Sequence, residues 1–375
     1  MTKLDRYIFS QLIGPFAFFC LIISGILWLN QALRIVQVVT ENGQPASIFV
    51  ELSLLLLPKV LTAAIPISGF AAAVFLTNRL YGEAELVVMM SAGRSFIALA
   101  KPFLIFGVFC AFALGVVVHF LAPMAQSKML ERQAQIQREF ITQIIQPGEF
   151  ITSQDGFTFF FGFKGKNGQL KDVLIEEHVD PDMTVTYIAN QGQVVKDDTG
   201  TTLVLKSGSI QRQNLRTRTF SLVQFDSLAF DLDQMSNDIK PRVDGFAEFS
   251  TPRLKRELDN LSKQDTAMGR GISLYHDRNA KTLLALFFPV LGMAVLLVGG
   301  YRRSGFTLRI IAGVLMMAGL DSFRGATRSW VIDSPAIWPA QYLSPILSIA
   351  LIVFLLWVAR RNLRDFNPFK RSVLA

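Results

Sequence analysis

Two carboxylates, Glu83 and Glu85, stand at the head of an apolar i, i+3, i+4 stripe made by Leu86, Met89 and Met90, and Gly93 follows it. That spacing predicts a short amphipathic helix near 82–93. Both acids would lie in its first turn, where negative charge meets the positive end of the helix dipole, and Gly93 would stop it. A pliable, Met-rich face suits docking into a groove of another protein; the same pattern also fits a helix lying flat on lipid. Lys59 is the only charge within the apolar stretch 52–77. With residue 52 at the boundary it lies roughly 10 Å into the hydrocarbon at ~1.5 Å per residue. A charge there either faces a cavity or partner, or snorkels to the interface. Arg34 stands just beyond another apolar stretch, a place for an interfacial anchor.

Bond-making chemistry finds less support. His119 and Asp321 are the only catalytic candidates in the apolar segments, and no nucleophile–base pair accompanies them. No catalytic residue is assigned. Glu176-Glu177-His178 with Asp180 and Asp182 read as a solvated acidic edge, because adjacent strand residues point apart, so no metal site and no cofactor are expected. The stretch Gly162–Asn167 lacks the spacer and the Ser/Thr of a phosphate-binding loop, so ATP energy would have to enter through another chain.

The elements that must position these residues follow from hydropathy. Apolar segments near 11–30, 52–77, 98–122, 283–300, 306–322 and 337–358 suit crossings of ~30 Å of hydrocarbon, and Pro58, Pro66, Gly107 and Gly115 within them read as kink and close-packing residues. The net charge of +8 is uneven. Residues 124–278 carry 19 Lys+Arg against 21 Asp+Glu, leaving 18 against 8 elsewhere. The basicity belongs to the membrane part and speaks for topology and anionic lipid, not nucleic acid. Thirteen of the basic residues flank one side, among them Lys3, Arg79, Arg94, Lys101, Arg302, Arg303, Lys370 and Arg371; Arg34, Arg324 and Arg328 flank the other. Both termini are therefore expected in the cytoplasm and residues 124–278 outside it. The first segment reads as retained, not as a signal peptide. Cys20 and Cys110 fall in apolar segments, so no disulfide framework is expected.

The polar block reads as β. Phe157–Phe163, Asp172–Val179, Thr184–Ile188, Thr201–Leu205 and Thr219–Phe225 are strand-like runs between turn-rich pieces, which predicts a sandwich or jelly roll. Residues 124–142 favour a helix prolonging the third span, and Thr251–Leu261 another. The expected protein is thus a six-helix membrane protein with an external, jelly-roll-like all-β domain inserted between helices three and four. It divides into 1–123 (three spans and the short helix), 124–278 (external domain) and 279–375 (three spans and a basic tail).

This layout, together with Leu4-Asp-Arg-Tyr-Ile8, the string Leu80–Gly93, Pro147-Gly-Glu-Phe150 and His276-Asp-Arg278, resembles the LptF/LptG permeases of lipopolysaccharide export over essentially the whole chain. The resemblance implies one half of a heterodimer with a sister permease. It implies a cytoplasmic ABC ATPase dimer docked on the short helix, with Glu83 and Glu85 at the acidic positions. Lipopolysaccharide would be taken from the inner membrane of a Gram-negative bacterium and handed to a periplasmic bridge protein with a jelly-roll domain. Basic residues at the outer helix ends contact lipid A phosphates in that family, and Arg34 and Arg324 match such positions, while Gln31 stands where relatives are often basic. Lys59 has no family counterpart and is added as a headgroup contact on its position alone. The Asn30–Arg34 stretch and the coupling string look more like the F-type subunit. A membrane-embedded envelope enzyme and a non-transporting scaffold are the alternatives.

Overall fold

A computed structural model describes residues 2–41, 46–144, 148, 150–152, 156–165, 169–180, 183–197, 200–214, 216, 219–231, 245–260, 266–298 and 306–365. The chain forms two compact units, Met1–Leu130 with Asp244–Ala375, and Glu131–Val243. Arg302, Arg303, Lys370, Arg371, Pro147, Glu149 and most of the expected turn residues lie outside the described residues.

Among the described residues, six helices are long and apolar enough to cross a membrane. Helix α1 (Lys3–Glu41) opens with a reciprocal cap: the Asp5 N–H donates to Thr2 Oγ1 at 3.3 Å and the Thr2 N–H to Asp5 Oδ2 at 2.9 Å. The second crossing is split into α2 (Ala46–Leu55) and α3 (Leu57–Gly82). Pro58 causes the break, since it has no N–H for the helical ladder and its ring clashes with the preceding turn; it serves as an early residue of α3 instead. Trp28 Nε1 donates to the Ser53 carbonyl at 2.9 Å near this break. Pro66 runs inside α3 without ending it. After the short α4 (Glu85–Ser91), α5 (Phe96–Val116) continues through a wide π turn at Val117–Leu121 into α6 (Ala122–Ile144), the expected prolongation of the third span.

The return half comprises α7 (Thr251–Asn260), α8 (Thr266–Leu297), α9 (Phe306–Asp333), a 3₁₀ segment (Pro335–Tyr342) and α10 (Leu343–Asp365). Helix α8 is the axle of the unit: 72% of its apolar window is buried, against 6% for α1. Gly107 lets α5 approach it, since a Cβ there would sit 2.0 Å from the Leu286 carbonyl oxygen. Gly115, expected to pack the same way, meets nothing closer than 3.6 Å and needs no glycine for space. Several spans are longer than their hydropathy indicated, and α1, which runs to Glu41, past 30, makes Arg34 a helical residue. Helix α8 starts at Thr266, well before 283, and α9 runs to Asp333, past 322. Arg324 and Arg328 are therefore helical residues, not loop residues.

The second unit begins with the far part of α6 and is otherwise β among the described residues. Its strands β1 (Phe150–Thr152), β2 (Phe157–Lys164), β3 (Gln169–Asp180), β4 (Met183–Asp197), β5 (Gly200–Asn214) and β6 (Thr219–Asp231) pair antiparallel in chain order within one sheet. All five expected strands are present. Strand pairing lapses along one line: Phe161↔Val173 is followed by Phe163↔Lys171, Ala189↔Gly208 by Gln191↔Lys206, and Lys206↔Ser227 by Gly208↔Phe225. The residues skipped include Gly162, Asp172, Asn190, Ser207 and Asp226. Asp172 and Ser207 have φ of 56° and 54°, left-handed values that bend a strand. The sheet folds over on this crease. In a flat sheet β2 and β6 would stand about 19 Å apart at ~4.8 Å per strand, yet the Phe157 and Phe230 rings meet edge-to-face at 6.3 Å and Tyr187 meets Phe230 at 5.3 Å. Phe157, Phe159 and Phe161 line the enclosed core with Val173, Ile175 and Leu205, whereas Phe163 is exposed and Phe160 stacks on Phe150 at 4.6 Å. A creased meander thus supplies the two-layered core that the strand pattern predicts.

Candidate functional site: a clamped short helix and a charge cluster

At the end of α3 the Glu83 N–H closes the helix on the Arg79 carbonyl at 2.9 Å, and its carboxylate accepts from Arg79 Nε at 2.9 Å. Ala84 then takes a left-handed φ of 59°, and α4 begins at Glu85. Only Glu85 occupies the first turn of the short helix. Glu83, expected there too, terminates the preceding helix. Gly93 is the stop, with φ of 84°; its N–H donates to Met90 O at 3.0 Å and the Arg94 N–H to Met89 O at 3.2 Å, a Schellman closure.

The Leu86, Met89 and Met90 stripe points into the chain's own bundle. Leu86 is 2% exposed and shares a buried cluster with Ile8, Leu12, Leu80 and Tyr81, while Met89 and Met90 pack partly buried against it. These three residues hold α4 against the bundle, Leu86 wholly buried and Met89 and Met90 in part. A helix of seven residues cannot persist in water by its own hydrogen bonds, so its apolar side must be buried within the fold. Within α4, Val88 and Ser91 are exposed, as are Glu83 before it and Ala92 and Gly93 after it.

Three polar contacts fasten this loop to the start of α1. Tyr7 OH donates to the Glu85 carboxylate at 3.3 Å. Arg94 Nη1 donates to Asp5 Oδ1 at 3.1 Å and Nη2 to Thr2 Oγ1 at 2.8 Å. Asp5 is 2% exposed. The strings Leu4–Ile8 and Leu80–Arg94, far apart in sequence, are one assembly.

The second group sits toward the other end of α3, which at ~1.5 Å per residue is about 39 Å long. Arg324 donates from Nη1 to Asp277 and from Nε to Asp321 Oδ1 at 3.0 Å; Arg324 and Asp277 are about a tenth exposed. Arg328 Nη1 lies 3.9 Å from Asp277 Oδ2. Lys281 Nζ donates to Thr62 Oγ1 at 3.2 Å, and Thr62 donates to the Lys59 carbonyl at 2.8 Å, so α8 touches the turn that carries Lys59. Spacing explains the cluster: Asp277 and Lys281 are i, i+4 on α8, and Asp321, Arg324 and Arg328 are i, i+3, i+7 on α9. Arg324 is thus committed to two carboxylates, whereas the Lys59 and Arg34 side chains are exposed. His119 Nδ1 meets Thr251 Oγ1 at 2.7 Å, tying the π turn to α7, and is not paired with Asp321. In the β unit His178 Nε2 meets Thr184 Oγ1 at 3.1 Å, and among the described residues no three His, Cys, Asp or Glu gather as metal ligands.

Asp5, Tyr7, Thr62, Asp277 and Lys281 carry site geometry that hydropathy and periodicity did not single out. The strings Leu4–Ile8 and His276–Arg278 contained most of the signal.

A 19% identical relative, an uncharacterized protein (RP871) of Rickettsia prowazekii strain Madrid E, aligns over 341 residues, 89% of this chain and 92% of its own length. The lipopolysaccharide export system permease protein LptF of Escherichia coli K12 is 24% identical over 172 residues, 46% of this chain; the match spans about half of that relative, 47% of its length. The LptF of Shigella flexneri matches over the same extent. The family profile described as lipopolysaccharide export system permease LptF/LptG matches residues 6–358, so the chain belongs to the LptF/LptG family of lipopolysaccharide export permeases.

Proposed function

We propose that this chain is the F-type membrane subunit of an ATP-driven lipopolysaccharide exporter of the inner membrane. Both termini lie in the cytoplasm, and the β unit lies in the periplasm. Family membership supports a transport component, not an enzyme. The observation that carries the reading is α4: a short helix outside the long apolar spans, its inner face locked into the bundle by Leu86 and its outer residues Val88 and Ser91 exposed. Such an element transmits force from a soluble protein to the spans behind it. An ABC ATPase dimer docks on that outer face, with Glu85 and Glu83 at its rim, and a sister permease completes the cavity.

Arg34 and Lys59, exposed at the other end, meet the phosphates of the lipid headgroup; Arg324 joins them when a phosphate displaces its carboxylates. The β unit receives acyl chains and passes them to a jelly-roll domain of a bridge protein. Its outermost strands, β1 and β6, carry exposed Phe150, Phe220 and Leu222.

Affinity purification in mild detergent, wild type beside Glu85→Arg, tests the reading. Wild type should bring a soluble ATPase, a second six-span permease and lipopolysaccharide, and the variant should lose the ATPase. A wild-type chain that brings none of these, under conditions that hold such complexes together, overturns the proposal.

A further inference from the structure

The loop that carries α4 does not hold α3 and α5 alone; it is fastened by three polar contacts to the first turns of α1. Arg94, the residue after the Gly93 stop, bonds both partners of the reciprocal cap that starts α1, Asp5 and Thr2, and Tyr7 one turn on bonds Glu85. Ile8, Leu12 and Leu86 belong to the same buried cluster. A joint with one contact is a hinge, whereas several contacts fix orientation as well as position. What the joint holds is unusual within the unit. Helix α1 is continuous from Lys3 to Glu41, packs against α3 and α5 through Ile8, Leu12, Phe16 and Phe19, and has only 6% of its apolar window buried within the chain. It carries Arg34 at its far end.

We propose that Asp5 and Arg94, assisted by Thr2 and Tyr7, form a clamp through which α4 moves α1 as a lever, delivering the stroke to the Arg34 end. They are positioning residues. They set how much lipid moves per ATP, not whether the ATPase docks. This rests on the docking role proposed for α4.

The test is the whole exporter in proteoliposomes, read for ATPase retained, ATP hydrolysed and lipopolysaccharide released to an acceptor. Asp5→Asn and Arg94→Gln should keep the ATPase in wild-type amount, while lipid released per ATP falls about fivefold or more. The double variant should be no worse than the poorer single, because both remove one contact. Arg94→Lys, which keeps the charge, should recover part of the loss. Should Arg94→Gln fail to accumulate, Tyr7→Phe removes one hydroxyl and no charge, and should lower the same ratio by less. An unchanged ratio in the singles, or losses that multiply in the double, overturns the clamp and leaves the docking reading standing. A wild-type assembly that holds no ATPase removes both.

Discussion

The two ends of the helical unit handle charge in opposite ways. At the end that holds α4, ion pairs are one to one: Arg79 with Glu83 and Arg94 with Asp5. At the other end Asp277 and Asp321 face Arg324, Arg328 and Lys281, so cations outnumber carboxylates within the cluster, and exposed Arg34 and Lys59 add to the imbalance. The matched pairs at the α4 end fasten one element to another, while the remaining cations of that end, such as Lys3 and Arg6, stand exposed outside the joint. An unbalanced cluster near a lipid boundary keeps positive potential for an anion. Under the proposed function, the contrast assigns the mechanical role to the paired joint and the recognition role to the cationic cluster.

The sharpest way to break the contrast is Asp277→Ala. It leaves Arg324 largely buried with one carboxylate fewer, and should cost about 3–5 kcal/mol, read as a large drop in melting temperature in detergent. A melting temperature near wild type would mean that the cluster is already solvated and that its imbalance has no structural weight. Next is Leu86→Ala, which empties the socket that fixes α4 and should cost about 2–3 kcal/mol; protease cleavage at Ala92–Arg94 should then accelerate. A stable but uncleavable variant would show that the polar clamp alone holds the loop. Arg34→Gln should leave stability alone and weaken binding of a phosphorylated lipid by about 1.5 kcal/mol, roughly tenfold. Equal loss for a dephosphorylated lipid would argue against phosphate as the group read. The smallest effect belongs to Arg79→Ala. The pair is nearly half exposed on both sides, and its loss should change stability by less than about 1 kcal/mol; a larger loss would place a structural role on the joint's outer surface.

The crossings were legible because hydrocarbon demands long apolar runs. The start of α8 was not, because His276, Asp277, Arg278 and Lys281 interrupt hydropathy; in the fold Asp277 pairs with Arg324, and the Arg278 guanidinium reaches the Phe249 and Ala247 carbonyls. The short helix was legible from its stripe and its Gly93 stop. Which way the stripe faced was not, since a face buried against a partner and one buried against its own chain have the same period. Arg34 and Lys59 are exposed, whereas Arg324 holds Asp321 three residues before it, which local spacing allows, and Asp277 on α8, which no local spacing announces. The strands of the β unit were legible from turns and alternation. Its crease was hidden, because left-handed Asp172 and Ser207 look like ordinary polar strand residues.

That crease also bears on how the chain is made. Each strand pairs with the next one in sequence, so the sheet can zip up one hairpin at a time, with little entropy lost to loop closure at any step. A jelly roll built from distant segments would have to wait for its last strand. Here the two layers arise by folding a finished ribbon, and Phe230, near the end of β6, seals the core against Phe157 and Tyr187. The β unit can therefore be complete while the three later spans are still being inserted, and lipid-sized apolar surface need not stand open to the aqueous phase during biogenesis.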